Sequence, residues 1–411
     1  MCSILGWNNI TKSEKEYILN KGNIRGRDGF GFITNNKEYR GFGDIMKSIH
    51  INNLLKGKQL IGNFRATPTT ETESREELLQ PYDGIVHNGV IANDKEFGEF
   101  EIDSMVLPQI INTDGSIEER LTKIKGSYAM AWVEDGALIL ACNYKPLYYW
   151  ISGNKYMFAS IPEMLPVKSI KLEPYSYIQI QLSTGKILQH KHLERKQYNK
   201  TIVCCSGGLD STAVAYILKA QGHNITLAHF RYGCLAEEQE IKRVEKIAKH
   251  GGFGFELIDM PKVMSGTITE GTYHTDDVEG VEYAYDWVSA RNLLMLSILT
   301  AFAETNNYGY IAFGGNLEES GAFPDNEQEF SRMFNNLLPY SVQNGLKIEL
   351  LSPVAHLMKH EIVKQGIEVN TPFELTWSCY GGNQKHCGDC APCFMRKTAF
   401  ERNKLKDPVF L

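Results

Sequence analysis

The chain has 411 residues, 43% of them hydrophobic and 22% charged, with a formal net charge of −6. That length and composition suit about two globular domains with substantial cores. They argue against a membrane protein, since no apolar run approaches the ~20 residues that span a bilayer. They also argue against broad non-specific nucleic-acid binding, which needs a surplus of Lys and Arg.

Met1-Cys2-Ser3-Ile4 lacks the basic region and long apolar stretch of a signal peptide. The expected location is therefore the cytoplasm (the host's, for a viral chain), where thiols stay reduced. Of the nine cysteines, one follows Met1 and four gather near the C-terminus. That distribution suits a nucleophile plus a metal site better than a disulfide framework.

In chain order, short apolar segments such as residues 60–64 and 137–141, separated by Gly, Asn and Pro, predict a sheet-rich α+β domain. Arg25-Gly26-Arg27-Asp28-Gly29-Phe30-Gly31 lies between two apolar segments, and Asn63-Phe64-Arg65-Ala66-Thr67 follows a strand. His87-Asn88-Gly89 reads as a turn, and Thr113-Asp114-Gly115 precedes a helix start. Lys145-Pro146-Leu147-Tyr148-Tyr149 is followed by Phe158-Ala159-Ser160. Residues 189–200 read as a polar linker, which divides the chain into domains 2–195 and 196–411. Beyond it, strands are expected at 201–205, 225–232, 255–258 and 310–313, alternating with helices at 211–220, 237–250 and 288–304. The alternation predicts βαβ units and a parallel sheet.

Removal of Met1 would leave Cys2 with a free α-amine. Such an amine has a pKa near 8, so it can act as general base to its own thiol. With the segments above, in that order, residues 2–180 resemble the class II (N-terminal nucleophile, Ntn) glutamine amidotransferases. The Lys145–Tyr149 and Phe158–Ser160 pair is most like asparagine synthetase. The resemblance implies an Ntn fold with Cys2 as nucleophile. Arg65 would hold the glutamine carboxylate through a bidentate fork, and Asp114 would accept from its ammonium. Asn88 and the Gly89 N–H would stabilise the oxyanion.

Ser206-Gly207-Gly208-Leu209-Asp210-Ser211-Thr212 joins the first strand of the second half to its first helix. Glycines and a helix N-terminus there suit an anion, but the Gly-Lys-Ser/Thr ending of a Walker A loop is absent. The loop resembles that of the PP-loop ATP pyrophosphatases, which have a Rossmann-like (HUP) α/β fold. The likeness implies ATP with Mg²⁺ held by Ser206, Gly207, Gly208, Leu209, Asp210 and Ser211, and an adenylated substrate.

Cys379, Cys387, Cys390 and Cys393 supply four thiolates at spacings suited to tetrahedral Zn²⁺. An iron–sulfur cluster is the rival, and His386 is an alternative ligand. Glu374-Leu375-Thr376-Trp377-Ser378-Cys379-Tyr380 and His386-Cys387-Gly388-Asp389-Cys390-Ala391-Pro392-Cys393 resemble 7-cyano-7-deazaguanine synthase (QueC). So do His229-Phe230-Arg231-Tyr232-Gly233, Ala290-Arg291-Asn292 and Ser352-Pro353 with Lys359-His360-Glu361-Ile362-Val363. The likeness covers about residues 200–400 and makes Arg291, Asn292 and Asp325 candidate substrate contacts. One departure stands out: Asn326 and Glu327 occupy positions where the family commonly has Cys and Arg.

That family converts a 7-carboxylate of deazaguanine to an amide and then a nitrile, using ATP and ammonia. Fusions of the two parts (Gat-QueC proteins) are associated with archaeosine in archaeal tRNA and with deazaguanine-modified phage DNA. The expected function is therefore glutamine- and ATP-dependent formation of an archaeosine-type formamidine on a nucleic-acid or nucleotide base. The alternatives are glutamine-fed nitrile synthesis on the free base and an asparagine-synthetase-like amide ligase, against which the cysteine cluster argues. A non-catalytic nucleic-acid-modification subunit would not need Cys2, Arg65, Asp114 and the nucleotide loop intact. The implied partners are glutamine, ATP, a 7-deazaguanine acceptor (free base, tRNA or DNA) and a second copy in a homodimer, with no membrane.

Overall fold

The computed structural model describes residues 2–67, 75–261, 264–273 and 286–411. The chain divides into two compact units, Met1–Arg195 and Lys196–Leu411.

The first unit has twelve described strands: β1 (Ser3–Asn8), β2 (Gly29–Thr34), β3 (Lys37–Phe42), β4 (Gln59–Arg65), β5 (Val86–Ile91), β6 (Gly126–Glu134), β7 (Ala137–Cys142), β8 (Tyr148–Ser152), β9 (Lys155–Ala159), β10 (Ile170–Lys171), β11 (Ser176–Gln181) and β12 (Ile187–His192). They form two sheets, ordered β10-β8-β9-β1-β4-β2-β3 and β12-β11-β7-β6-β5. Helices α1 (Lys12–Gly22) and α2 (Ile51–Lys56) belong to the first sheet's outer layer, and α3 (Leu107–Ile111) and α4 (Ile117–Thr122) to the second's.

Period-two alternation builds these layers. On β1, Ile4 enters the core between the sheets, while Leu5 and Trp7 pack with Ile18 and Leu19 of α1. On β6, Ala129 and Ala131 face the central core, while Met130 and Trp132 pack with Ile110 and Leu121. The result is a four-layer αββα sandwich. Helix α4 starts as its sequence predicts, with a capping box between Ser116 and Glu119.

The second unit holds β13 (Thr201–Cys204), β14 (Ile225–Arg231), β15 (Gly254–Asp259), β16 (Tyr310–Ala312) and β17 (Glu349–Leu351). They pair in parallel in the order β15-β14-β13-β16-β17. Its helices are α5 (Leu209–Ala220), α6 (Glu237–Gly251), α7 (Arg291–Thr305), α8 (Leu317–Ser320), α9 (Gln328–Ser341), α10 (Lys359–Glu368) and α11 (Ala391–Arg402). Val203 and Leu227 pack with α5, α6, α10 and α11, and Ile202, Ala228 and Ile311 pack on the other face with α7 and α9. The strand order reverses at β13, so the loop after it lies at a topological switch point, where open α/β sheets bind ligands.

The expected linker is wrong in its first part. Residues up to His192 belong to β12, which pairs with β11. Every residue of β12 is exposed, so this edge strand lacks the apolar alternation that marks a strand in sequence. The helix expected from 288 begins at Arg291, because Ala290 is left-handed (φ 47°) and Val288 bridges Gly266. The helix expected from 211 begins earlier, at Leu209. Among the described residues, no helix is long and apolar enough to cross a membrane.

Candidate functional site

In the first unit, three backbone segments converge on Cys2. The antiparallel pair Ser3↔Phe64 sets Cys2 opposite Arg65, and the Cys2 thiol lies 3.7 Å from the Ala66 carbonyl oxygen. The loop before β2 straps over them: the Ser3 hydroxyl donates to the Arg25 carbonyl at 3.0 Å, and the Asp28 N–H donates to the Arg65 carbonyl at 3.1 Å. The Asp28 carboxylate in turn accepts from the Thr67 N–H at 2.6 Å. Gly26 is required here, with φ +93° and room for no Cβ, which would sit 2.5 Å from the Phe64 carbonyl oxygen. The Ser160 hydroxyl accepts from the Ile4 N–H at 2.9 Å, fixing the start of β1 from the other side.

Arg65 is 6% exposed and donates to the Leu78 carbonyl at 2.9 Å. Asn63 donates to the His87 carbonyl at 3.1 Å and so ties β4 to β5. His87-Asn88-Gly89 is not a turn. It lies within β5, with Asn88 opposite Ala129 and Gly89 opposite Tyr128. Asn-Gly is a strong hairpin signal, but here the glycine answers to close packing: a Cβ would meet the Ser127 carbonyl oxygen at 1.9 Å.

Asn88 is 2% exposed and its side-chain nitrogen has no hydrogen-bond partner. A buried donor left unmatched costs about 1–3 kcal/mol, so this one is available to an arriving acceptor. His87 is instead satisfied, by the Ser104 hydroxyl at 2.9 Å and the Ser127 carbonyl at 3.2 Å, and burial lowers its pKa. Asp114 stands exposed in the bend before α4, tied to none of the other candidate residues by a hydrogen bond or ion pair.

In the second unit a cavity of about 200 Å³ is lined by Ser206, Gly208, Asp210, Ser211, Arg291 and Asn292, among others. Gly207 turns the loop at φ +76°. The Ser206 hydroxyl accepts from the Gly208 N–H at 3.2 Å and lies 3.3 Å from the Ser211 hydroxyl. No side chain caps the N-terminus of α5, so its first N–H groups face an anion without competition.

Two further charged residues of the cavity wall, Lys359 and Glu319, escaped the motif reading. The Lys359 ammonium, at the start of α10, lies 3.1 Å from Asp210 and 2.7 Å from Glu319. Burial pushes the Asp210 carboxyl up to about 6, with Glu319 adding to the effect and Lys359 opposing it. One Asp210 oxygen is buried without a partner. That orphaned acceptor and Glu319, both on the cavity wall, fit Mg²⁺, which takes one or two carboxylates plus substrate phosphates. Lys359 lies within a segment already matched to the family, but nothing in its spacing pairs it with Asp210.

Arg291, Asn292 and Asp325 are brought together. Burial opposes the Arg291 charge, yet Tyr232, Tyr380 and Asp325 hold its pKa above the usual value. The Asp325 carboxyl accepts from the Asn292 backbone, and burial raises its pKa against the pull of Arg291. Asp325 is not among the residues lining the cavity, whereas Asn326 is, at 6% exposed. Glu327 is exposed and precedes α9, so only one of the two departures alters the site.

The sulfurs of Cys379, Cys387, Cys390 and Cys393 all lie within 4.8 Å of one another. The Cys379–Cys387 and Cys387–Cys393 sulfur distances are 3.5 and 4.0 Å. A tetrahedron with Zn–S bonds of about 2.3 Å has edges of roughly 3.8 Å, so the donor set fits zinc. Backbone N–H groups of Gly381 and Cys387 donate to the Cys379 sulfur at 3.3 and 3.4 Å, as suits a thiolate. His386 is outside the set: its ring accepts from the Ser378 N–H at 3.1 Å and packs on Trp377 at 4.2 Å. The Trp377 backbone N–H donates to the Gly207 carbonyl at 2.8 Å, so the four-cysteine segment braces the glycine-rich loop.

Fold and site together define a class: an αββα unit with Cys2 at the head of its first strand, followed by a parallel α/β unit with a glycine-rich loop at its switch point and a four-cysteine site. The family described as queuosine biosynthesis protein QueC matches residues 200–404. A 7-cyano-7-deazaguanine synthase of Saccharolobus solfataricus is 41% identical over 100% of this chain and 99% of its own length. One from Sulfolobus acidocaldarius is 38% identical over the same shares. One from Methanobrevibacter smithii is 39% identical over 51% of this chain and 96% of its own. The chain belongs to the 7-cyano-7-deazaguanine synthase family, whose members are ATP-dependent C–N bond-forming enzymes. Among solved structures, the glutamine PRPP amidotransferase of B. subtilis, complexed with ADP and GMP, aligns over 96% of each chain at 14% identity and a TM-score of 0.40.

Proposed function

We propose that the first unit hydrolyses glutamine and that the second transfers the ammonia to the C7 substituent of an ATP-activated 7-deazaguanine, giving an archaeosine-type formamidine on a nucleotide or nucleic-acid base. The observation that carries this reading is the buried, unpartnered Asn88 donor in the strand tied to the Cys2–Arg65 segment, within a chain that also holds the nucleotide cavity. Relatives spanning only half of this chain bear the same synthase name, so the glutaminase is an addition to that chemistry.

The steps follow from the residues. The Cys2 thiolate attacks the glutamine amide while Arg65 and Asp114 hold its carboxylate and ammonium. Asn88 and the Gly89 N–H take the oxyanion. In the second unit the Ser206–Ser211 loop grips the ATP phosphates, and Asp210 and Glu319 would hold Mg²⁺, which would offset their charge. The acceptor oxygen attacks the α-phosphorus and pyrophosphate leaves. Ammonia then attacks the adenylated carbon and AMP departs. At the amide stage, collapse without ammonia yields the nitrile, whereas ammonia attack yields the amidine. Tethering the glutaminase raises the effective ammonia concentration and favours attack. Zinc on the four cysteines would hold the segment that braces the loop.

A second reading, glutamine-fed nitrile synthesis on the free base, is favoured by Arg291: a buried cation on the cavity wall suits a free carboxylate. Mass spectrometry of products from glutamine, ATP and a panel of deazaguanine acceptors (free base, nucleoside, tRNA, DNA) separates the two. A formamidine mass supports the first, and nitrile from every acceptor rejects it.

A further inference from the structure

Beside the nucleotide loop lies a group of titratable side chains that none of the steps above uses. His229 on β14, Tyr232, Cys234 and Glu240 on α6 line the wall, with the substrate-contact candidate Arg291 of α7 among their neighbours on it. His229 is 2% exposed, and its Nδ1 lies 2.9 Å from the Cys205 carbonyl oxygen. A carbonyl can only accept, so Nδ1 carries the proton and Nε2 of the neutral ring presents a lone pair. That Nε2 is buried and has no hydrogen-bond partner. The atom facing it, at 3.9 Å, is a carboxylate oxygen of Glu240. The same oxygen is approached by the Cys234 thiol at 3.7 Å.

A lone pair and a carboxylate facing each other in a buried wall repel until one proton is placed between them. The site therefore has one vacancy for a proton, and the proposed chemistry releases one. When ammonia forms its bond to the adenylated carbon of the C7 substituent and the C–O bond to AMP breaks, the new nitrogen carries one proton too many. Arg291 is already charged, and Asp210 has one oxygen on Lys359 and the other suited to Mg²⁺.

We propose that Glu240 and His229 form the proton-accepting pair of the nitrogen-transfer step, taking the surplus proton from the attacking nitrogen and sharing it between the Glu240 carboxylate and His229 Nε2. This deepens the nitrogen-transfer reading and rests on it. The electrostatics agree. Burial pushes the Glu240 carboxyl up to about 7, opposed by Arg291 and Cys234 and reinforced by Glu237. Burial lowers the His229 pKa, opposed by the Cys205 carbonyl and Glu237. The pair is thus filled below about pH 7 and open to a proton above it, so transfer rises with pH through that point.

The full chain is supplied with ATP, 7-carboxy-7-deazaguanine and ammonium chloride, which bypasses Cys2. ATP–pyrophosphate exchange reads adenylation, and amide formation reads nitrogen transfer at fixed free ammonia. The wild type should show amide formation rising with pH near 7 while exchange does not. Glu240→Gln and His229→Gln should lower amide formation ~100-fold, the scale of a lost proton acceptor, abolish the rise, and affect exchange much less. Glu240→Asp should restore part of the rise. Equal loss of exchange and amide formation, or a wild-type amide rate flat between pH 6 and 8, overturns the pair. Absence of wild-type exchange with any deazaguanine carboxylate would instead defeat the underlying nitrogen-transfer reading.

Discussion

The two candidate sites are assembled in opposite ways. In the first unit, Cys2, Arg65, Asn88 and Asp114 come from four stretches of chain far apart in sequence; pairing of β1 with β4 sets Cys2 beside Arg65, and Asn88 is tied to them only through the Asn63–His87 bond between the two sheets. In the second, the candidate nucleotide loop is six consecutive residues at a strand–helix junction, and the four clustered cysteines lie within fifteen. A site built from strand register depends on the whole sandwich. A site built from one loop depends on what braces that loop, and here the brace is the bond from Trp377 to Gly207.

Cys2→Ala is the sharpest way to separate the units. Glutamine-dependent product formation should fall to background, because the thiolate forms the covalent intermediate, while ammonium-driven activity persists. Equal loss of both would mean that the halves do not act as separate sites. Asn88→Ala should follow, lowering glutamine hydrolysis by about 10²–10³-fold in kcat, the usual cost of one oxyanion donor. Ammonium-driven turnover is the control, and an unchanged glutaminase rate would remove Asn88 from the site.

In the second unit the largest structural effect belongs to the metal. Elemental analysis should find about one zinc per chain. Cys390→Ser or a chelator should loosen residues 376–393 in hydrogen exchange and weaken ATP binding, since the segment braces Gly207. Stoichiometric iron with visible absorbance would point to a cluster instead. Lys359→Gln leaves Asp210 and Glu319 facing each other without a cation, and breaking such a buried group costs about 3–5 kcal/mol. Denaturant titration reads that loss, and a change below 1 kcal/mol would show that the cluster relaxes by admitting water, an outcome on the order of a surface pair. Glu327→Arg is the smallest: an exposed side chain ahead of α9 should change neither stability nor acceptor choice measurably. A switch in acceptor on that substitution would return Glu327 to the site.

Contiguous placement was legible in the sequence. The nucleotide loop and the cysteine spacing could be read directly, because each lies within one short stretch. What depended on tertiary packing was not. Asn88-Gly89 read as a turn because the dipeptide favours φ > 0, and nothing local reveals that Ser127 closes on it from β6. Residues 189–192 read as linker because an exposed edge strand carries no apolar alternation. Lys359 and Glu319 meet Asp210 only after the sheet closes, and the His229–Glu240 pair depends on β14 setting the imidazole against α6.

The central claim is that glutamine nitrogen reaches the carbon of the C7 substituent of a deazaguanine within this one chain. Amide-15N glutamine with ATP and a deazaguanine acceptor tests it most directly, with product analysed by mass spectrometry and nucleotide by chromatography. The account predicts one 15N in each new C–N bond, matched by AMP and pyrophosphate, and loss of label from glutamine in Cys2→Ala while 15N-ammonium still labels the product. Unlabelled product from the wild type, or ADP and phosphate in place of AMP and pyrophosphate, would contradict it.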